Sequence, residues 1–183
     1  MKKMLLVVLT VLAMATIANA ALTAKISVNG VVDPPDTSIR LLPSQEVIID
    51  IHAWNNVSVS STLLVMQGPG ALSKGANFLV WEDSKLTMPS ADFAGWKEYL
   101  ESLGHMGITQ IADLDIQDLF EPFTTPAGLV LDGLVFHCEA YGEVTLSVFD
   151  LDGNVLDSQQ IHQIPEPITM VLLGLGGLFL RRK

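Results

Sequence analysis

The chain holds one cysteine, Cys138, among 183 residues. That excludes an internal disulfide and a thiolate metal cluster. Positive charge is also sparse, with ten Lys and Arg against twenty Asp and Glu. Half of those cations lie in the two terminal segments. Residues 21–163 keep only Lys25, Arg40, Lys74, Lys85 and Lys97 against nineteen carboxylates, a net charge of about −14. A chain so poor in basic stripes is not a nucleic-acid binder, which needs such stripes to neutralise phosphates. The acidity favours solubility, repulsion from anionic membrane surfaces and loose attraction of divalent cations. Histidine is scarce and scattered: His52, His105, His137 and His162 form no HExxH pair. No G-x-S-x-G elbow is present, so no serine nucleophile is marked. No cofactor and no metal are expected.

Long apolar runs occur only at the two ends. Met1-Lys2-Lys3 is basic, Met4–Ile17 is apolar, and Ala18-Asn19-Ala20 is an A-x-A cleavage pattern. Together they predict a secretory signal peptide over residues 1–20, cut beside Ala18 and Ala20 by signal peptidase after export. At the other end Pro165-Glu166-Pro167 precedes an uncharged stretch, Ile168–Leu180, and the chain finishes in Arg181-Arg182-Lys183. Thirteen helical residues at about 1.5 Å each give roughly 20 Å, against a bilayer core of about 30 Å. The helix is short for a spanning segment, a mismatch met by bilayer thinning. Pro167 suits a first helical turn, where its missing N–H costs nothing. The basic cluster belongs on the cytoplasmic side as a membrane stop. Gly174, Gly176 and Gly177 thin one helix surface and allow another helix to approach closely in lipid.

Pro-Glu-Pro, a short glycine-bearing apolar helix and a terminal Arg-Arg-Lys resemble the PEP-CTERM sorting signal of exported bacterial proteins. The resemblance implies processing near Pro165–Pro167 by an exosortase, a membrane-embedded transpeptidase-like enzyme. It makes this chain a substrate of that enzyme, held for a time in the inner membrane by helix 168–180 and then delivered to the cell surface or outside. Residues 164–183 are thus the sorting signal.

Residues 21–163, about 140 in all, are the size of one domain and long enough to bury a core without staples. Their pattern is mostly period two. Val47, Ile49, Ile51 and Ala53 fall on one strand face; Ile48, Asp50, His52 and Trp54 fall on the other. Leu129–Cys138 places Leu134, Phe136 and Cys138 together, which predicts a buried, inert thiol. Asn29-Gly30 marks a turn, and Asp152-Gly153 turns Gly142–Phe149 into Asn154–His162 as a hairpin. Between the middle strands a helical insertion is expected over about 90–120. Phe93, Trp96, Leu100 and Leu103 have helical spacing, with Ser90 as N-cap. A second short helix is expected over Thr109–Phe120. The predicted architecture is mainly β: a sandwich with a helical insertion, plus the signal helix and a short C-terminal transmembrane helix. The strand order is similar to that of cohesin-like domains, jelly-roll sandwiches related to carbohydrate-binding modules. That resemblance implies a binding or scaffolding module, although the insertion departs from it.

Few residues suggest chemistry. Asp150-Leu151-Asp152-Gly153-Asn154 looks like the start of a calcium loop. Counting from Asp150, however, Val155 and Ile161 fall where glycine and a bidentate acid are required. Asp113, Asp115, Asp118 and Glu121 read as a solvated acidic face. Trp54, on the polar face of its strand, is the candidate ligand contact, because an aromatic face can stack on a sugar ring. The leading expectation is a non-enzymatic exported surface or extracellular-matrix protein that binds neighbours, extracellular polysaccharide or cations. The alternatives are a carbohydrate-binding module and a secreted hydrolase with paired carboxylates.

Overall fold

The computed structural model describes residues 22–35, 39–54, 59–80, 84–117 and 128–165. The expected signal helix and transmembrane helix lie outside these residues. No helix among the described residues is long and apolar enough to cross a membrane.

Among the described residues, eleven strands and one helix follow in chain order. They are β1 Thr23–Val28, β2 Val31–Val32, β3 Arg40–Leu41, β4 Glu46–Trp54, β5 Val59–Gln67, β6 Ala71–Val80 and β7 Lys85–Thr87. Then come α1 Phe93–Ser102, β8 Ile108–Gln117, β9 Leu129–His137, β10 Gly142–Asp150 and β11 Val155–Gln163. They build two sheets: five strands in the order β2-β1-β4-β9-β6, and six in the order β3-β11-β10-β5-β8-β7. Every described pairing is antiparallel except β11 with β3.

Period-two alternation decides what each sheet buries. Ala24, Ile26 and Val28 of β1 and Val47, Ile49, Ile51 and Ala53 of β4 point inward. They meet Leu64 and Met66 of β5, Ala112, Leu114 and Ile116 of β8, and Val144, Leu146 and Val148 of β10 in one core. Two sheets with a common apolar interior satisfy what each half-buried strand requires. The Asn29-Gly30 turn forms as expected. Both residues have positive φ, 50° and 78°, which the β1–β2 hairpin needs and which Asn and Gly tolerate best. The Asn29 side chain then accepts the Ile48 N–H at 3.0 Å, which fixes the turn to β4.

The edge beyond β1 is closed by a side chain. Asp157 of β11 accepts the Ile26 N–H at 2.7 Å and the Lys25 Nζ at 3.1 Å. Lys25 also reaches Asp33 at 2.9 Å. The hydrogen bonds to Asp33 and Asp157 raise the Lys25 pKa. An otherwise open backbone donor is thereby blunted.

Among the described residues of the expected insertion, the helix covers Phe93–Ser102. Its N-cap is Asp92, whose side chain accepts the Gly95 N–H; Ser90 instead donates to Asp113 at 2.7 Å. Where a second helix was expected over Thr109–Phe120, strand β8 runs from Ile108 to Gln117. The apolar spacing Ile111 to Leu114 resembles a helical stripe. The stronger signal is the alternation Ala112, Leu114, Ile116 inward against Asp113 and Asp115 outward, and nine register pairs with β5 enforce it. Helix α1 lies over the outer surface of the six-stranded sheet. There Leu100, with Phe93 and Trp96 partly buried, packs on Leu63, Val65, Ile108, Ile111 and Phe149. Leu103, expected in the same stripe, is 48% exposed.

Candidate functional site

The C-terminal exit of the sandwich is the place where fold and sorting signal meet. Strand β11 lies between β10 and β3, so both of its backbone edges are occupied at its end. The His162 N–H donates to the Ile39 carbonyl at 3.0 Å, and the Ile164 N–H to the Leu41 carbonyl at 2.8 Å. Pro165 is the next residue, so the motif begins one residue after the last tied amide.

The side chain of Gln163 strengthens this end. It is 4% exposed, an unusual place for an amide, and it must therefore be hydrogen-bonded. Its Oε1 accepts from the Cys138 thiol at 2.7 Å and from the Ala140 N–H at 3.4 Å, while its Nε2 donates to the Pro69 carbonyl. The Cys138 thiol is fully buried, and burial pushes its pKa up, so it stays protonated and acts as a donor. The loop that offers the Pro69 carbonyl has to pass very close to its neighbours. Gly68 has φ 103° and leaves no room for a Cβ beside the Glu143 carbonyl. Gly70 has φ 144°, and a Cβ there would lie 2.6 Å from the Phe136 ring. Gln163 thus clasps two loops, β5–β6 and β9–β10, at one end of the sandwich.

The period-two phase contained a signal for this clasp that residue-type scanning passes over. Gln163 follows Ile161 at strand spacing and so falls on the inward phase. A polar group buried there must find partners.

Of the residues expected to carry sorting, Pro165 lies at this exit. Glu166, Pro167, Arg181, Arg182, Lys183, Ala18 and Ala20 lie outside the described residues. Trp54 ends β4 opposite Thr23, and its side chain is likewise outside the description. The histidines do not converge as a pair on the five-stranded sheet. His52 registers with Leu129 and His137 with Glu46, at opposite ends of the β4–β9 ladder. Asp113 and Asp115 do share the outer face of β8, but each is hydrogen-bonded: Asp113 by Ser90 at 2.7 Å, Asp115 by Ser61 at 2.7 Å. Asp118 and Glu121 lie outside the described residues. Among the described residues no group of three or more His, Cys, Asp or Glu could hold a metal ion. Asp150 is used within its own turn, accepting the N–H groups of Asp152 and Asn154 at 3.0 and 2.8 Å and the Asn154 amide at 2.8 Å. The segment is a hairpin turn between β10 and β11, as its sequence indicates.

One carboxylate contact was not foreseen. Asp132 adjoins Asp50 across the β4–β9 irregularity, where Asp132 and Gly133 together face the single residue Asp50. The Gly133 N–H donates to Asp50 at 2.9 Å. Asp50 is 8% exposed, and desolvation raises its pKa; Asp132 adds to the rise, whereas the Gly133 N–H and His52 oppose it.

Comparison with known proteins bears on the tail most directly. Residues 163–183 match the PEP-CTERM protein-sorting motif. The match starts at Gln163, the residue that closes the sandwich. The motif implies an exported protein, transiently anchored at the membrane and processed by an exosortase. No curated protein matches the chain. Among solved structures, the chain is similar to a non-cellulosomal cohesin from the hyperthermophilic archaeon Archaeoglobus fulgidus. The sequence identity is 11% and the TM-score 0.34, over 81% of this chain and 96% of that one. It is also similar to a chain of the CaDoc0917–CaCohA2 complex, at 13% identity and TM-score 0.30, over 78% of this chain and all of that one. At such scores the likeness goes no further than weak structural similarity to cohesin domains.

Proposed function

We propose that this chain is a non-catalytic surface or extracellular-matrix protein, exported behind a signal peptide of residues 1–20 and sorted through residues 164–183. The delivered part, residues 21–163, is a jelly-roll-like acidic sandwich acting as a binding or structural module. Helix 168–180 parks it in the inner membrane. Arg181, Arg182 and Lys183 hold the stop on the cytoplasmic side, and an exosortase-type enzyme recognises Pro165, Glu166 and Pro167.

The observation that carries this reading is the sorting-motif match at 163–183, joined directly to the last strand of a folded domain. A domain that ends where its address label starts is cargo. Deleting residues 164–183 should change both the cellular location and the mature mass of the protein. If fractionation and intact-mass spectrometry show neither change, the proposal is wrong.

Within the module, Trp54 is the proposed ligand contact and extracellular polysaccharide the proposed ligand class. Glycan-array binding lost on Trp54→Ala supports that assignment, and binding to no glycan removes it.

A further inference from the structure

We infer that the outer face of the five-stranded sheet carries a calcium site, in which Asp50, Asp132 and the Ser27 hydroxyl supply oxygen ligands to one hard divalent cation. The three residues stand in a row across β1, β4 and β9. Ser27 registers with Asp50, and Asp50 lies opposite the Asp132–Gly133 bulge. Ala24, Ile26 and Val28 take the inward phase of β1, and Ile49 and Ile51 take that of β4, so Ser27 and Asp50 both point outward. Directly paired residues hold their Cβ atoms about 5 Å apart.

The Ser27 hydroxyl is the observation that points to a ligand. Ser27 is 1% exposed, and its Oγ has no hydrogen-bond partner among the described residues. A buried hydroxyl left unpaired is costly, and such groups call for an explanation. Ser27 stands beside a carboxylate that could accept its proton, yet no hydrogen bond joins them. A cation ligated by both oxygens would satisfy the hydroxyl lone pairs and the carboxylate together.

Charge at this place is also unbalanced. Asp50 and Asp132 adjoin, and neither is paired with a lysine or arginine among the described residues. Lys25 shares their face but is turned away to Asp33 and Asp157. Burial and the like charge of Asp132 raise the Asp50 pKa, and the attraction of His52 is the smallest influence on it. A dication between the two carboxylates reverses the repulsion.

An all-oxygen donor set selects a hard cation, since soft metals favour thiolate or imidazole. Calcium tolerates an irregular shell completed by water and backbone carbonyls, whereas magnesium demands a near-ideal octahedron. One of the three donors is a hydroxyl, so the set differs from a cluster of His, Cys, Asp and Glu alone. Bound calcium would tie β1, β4 and β9 together on the face opposite α1.

The test is calcium titration of the protein purified from its host and stripped with a chelator, read by calorimetry and by melting temperature. One ion per chain is expected, with a dissociation constant of about 10⁻⁴–10⁻³ M, as in extracellular calcium modules. The melting temperature should climb with calcium concentration. Magnesium should bind at least about tenfold more weakly. No calcium uptake up to about 10 mM overturns the inference.

Asp50→Asn and Asp132→Asn should each weaken calcium binding at least about tenfold. Glu98→Gln removes the same charge from an exposed position on α1 and should leave binding unchanged. An equal loss there shows only diffuse attraction to an acidic domain, and the inference fails. Ser27→Ala separates ligation from charge and keeps the test open even if an aspartate variant fails to fold. It takes an unpaired hydroxyl out of the interior, so in chelator it should melt at or above the native protein. In calcium it should bind about 3–10-fold more weakly. Native calcium affinity in Ser27→Ala removes Ser27 from the site and overturns the assignment.

Discussion

The two outer faces of the sandwich meet water in opposite ways. The six-stranded sheet buries Leu63, Val65, Ile111 and Phe149 on its outside, under α1, so locally it is a middle layer. The outward phase of β4 in the five-stranded sheet carries Ile48, Asp50 and His52 instead. Ile48 is 48% exposed, while Asp50 and His52 are sheltered by their neighbours. One face is thus stabilised by apolar contact with a helix. The other holds Asp50, a sheltered carboxyl whose charged form burial disfavours. The lesson is that burial on the two faces has opposite signs: removing a side chain from the first should destabilise, and neutralising one on the second should stabilise.

The largest effect is expected at Phe149. Its ring is fully buried beneath α1 and meets the His105 ring edge-on at 4.7 Å. Phe149→Ala empties the centre of the small cluster and should cost about 3–5 kcal/mol, measured by urea unfolding of the processed protein. A loss below about 1 kcal/mol would show that the helix is a loose flap and would erase the contrast between the faces.

A smaller loss is expected at the helix start. Asp92 caps α1 through the Gly95 N–H at 3.2 Å, and the first turn holds no other acid. Asp92→Ala should cost about 1 kcal/mol, or roughly 2–4 °C in melting temperature for a domain of this size. Asp92→Asn should recover most of it, since the amide oxygen can accept the same hydrogen bond. Failure of that rescue would assign the loss to charge at the helix end rather than to capping.

The fold was legible where one face of a strand is wholly apolar. In β4, β9 and β10 the inward phase reads Val47-Ile49-Ile51, Leu134-Phe136 and Val144-Leu146-Val148, and the core follows it. Legibility failed at β8, because Ile111 packs outward under α1 while Leu114 packs inward. A strand apolar on both faces imitates the spacing of a helical stripe. The roofing helix itself was legible, but its cap was displaced, since Ser90 is engaged by Asp113 of that same misread strand. At the exit, Pro165-Glu166-Pro167 stood out by residue type. The Gln163 clasp did not, because it joins residues 25 and 94 positions apart in the chain. Asp50 was placed on the correct strand face, but its contact with Asp132 depends on the β9 bulge, for which alternation alone has no marker.

The smallest expected effect is also the one with the opposite sign. Burial and the adjoining Asp132 raise the Asp50 pKa, so the folded chain binds its proton more tightly than the unfolded chain does. Stability linked to this group is therefore greatest at low pH. It declines as pH rises from the ordinary carboxylate range through the raised folded value, and the deficit is complete above that value. Asp50→Asn removes the charge while keeping an oxygen to accept the Gly133 N–H. At neutral pH the variant should melt higher than the native protein by a degree or more, reflecting a gain of under about 1 kcal/mol. The difference should shrink as pH falls and vanish below the ordinary carboxylate range, where the native acid is neutral too. A variant that melts lower at neutral pH would show that Asp50 contributes as a carboxylate. It would then be held by its Gly133 and His52 partners strongly enough to outweigh its desolvation, and the two faces would differ in chemistry but not in sign.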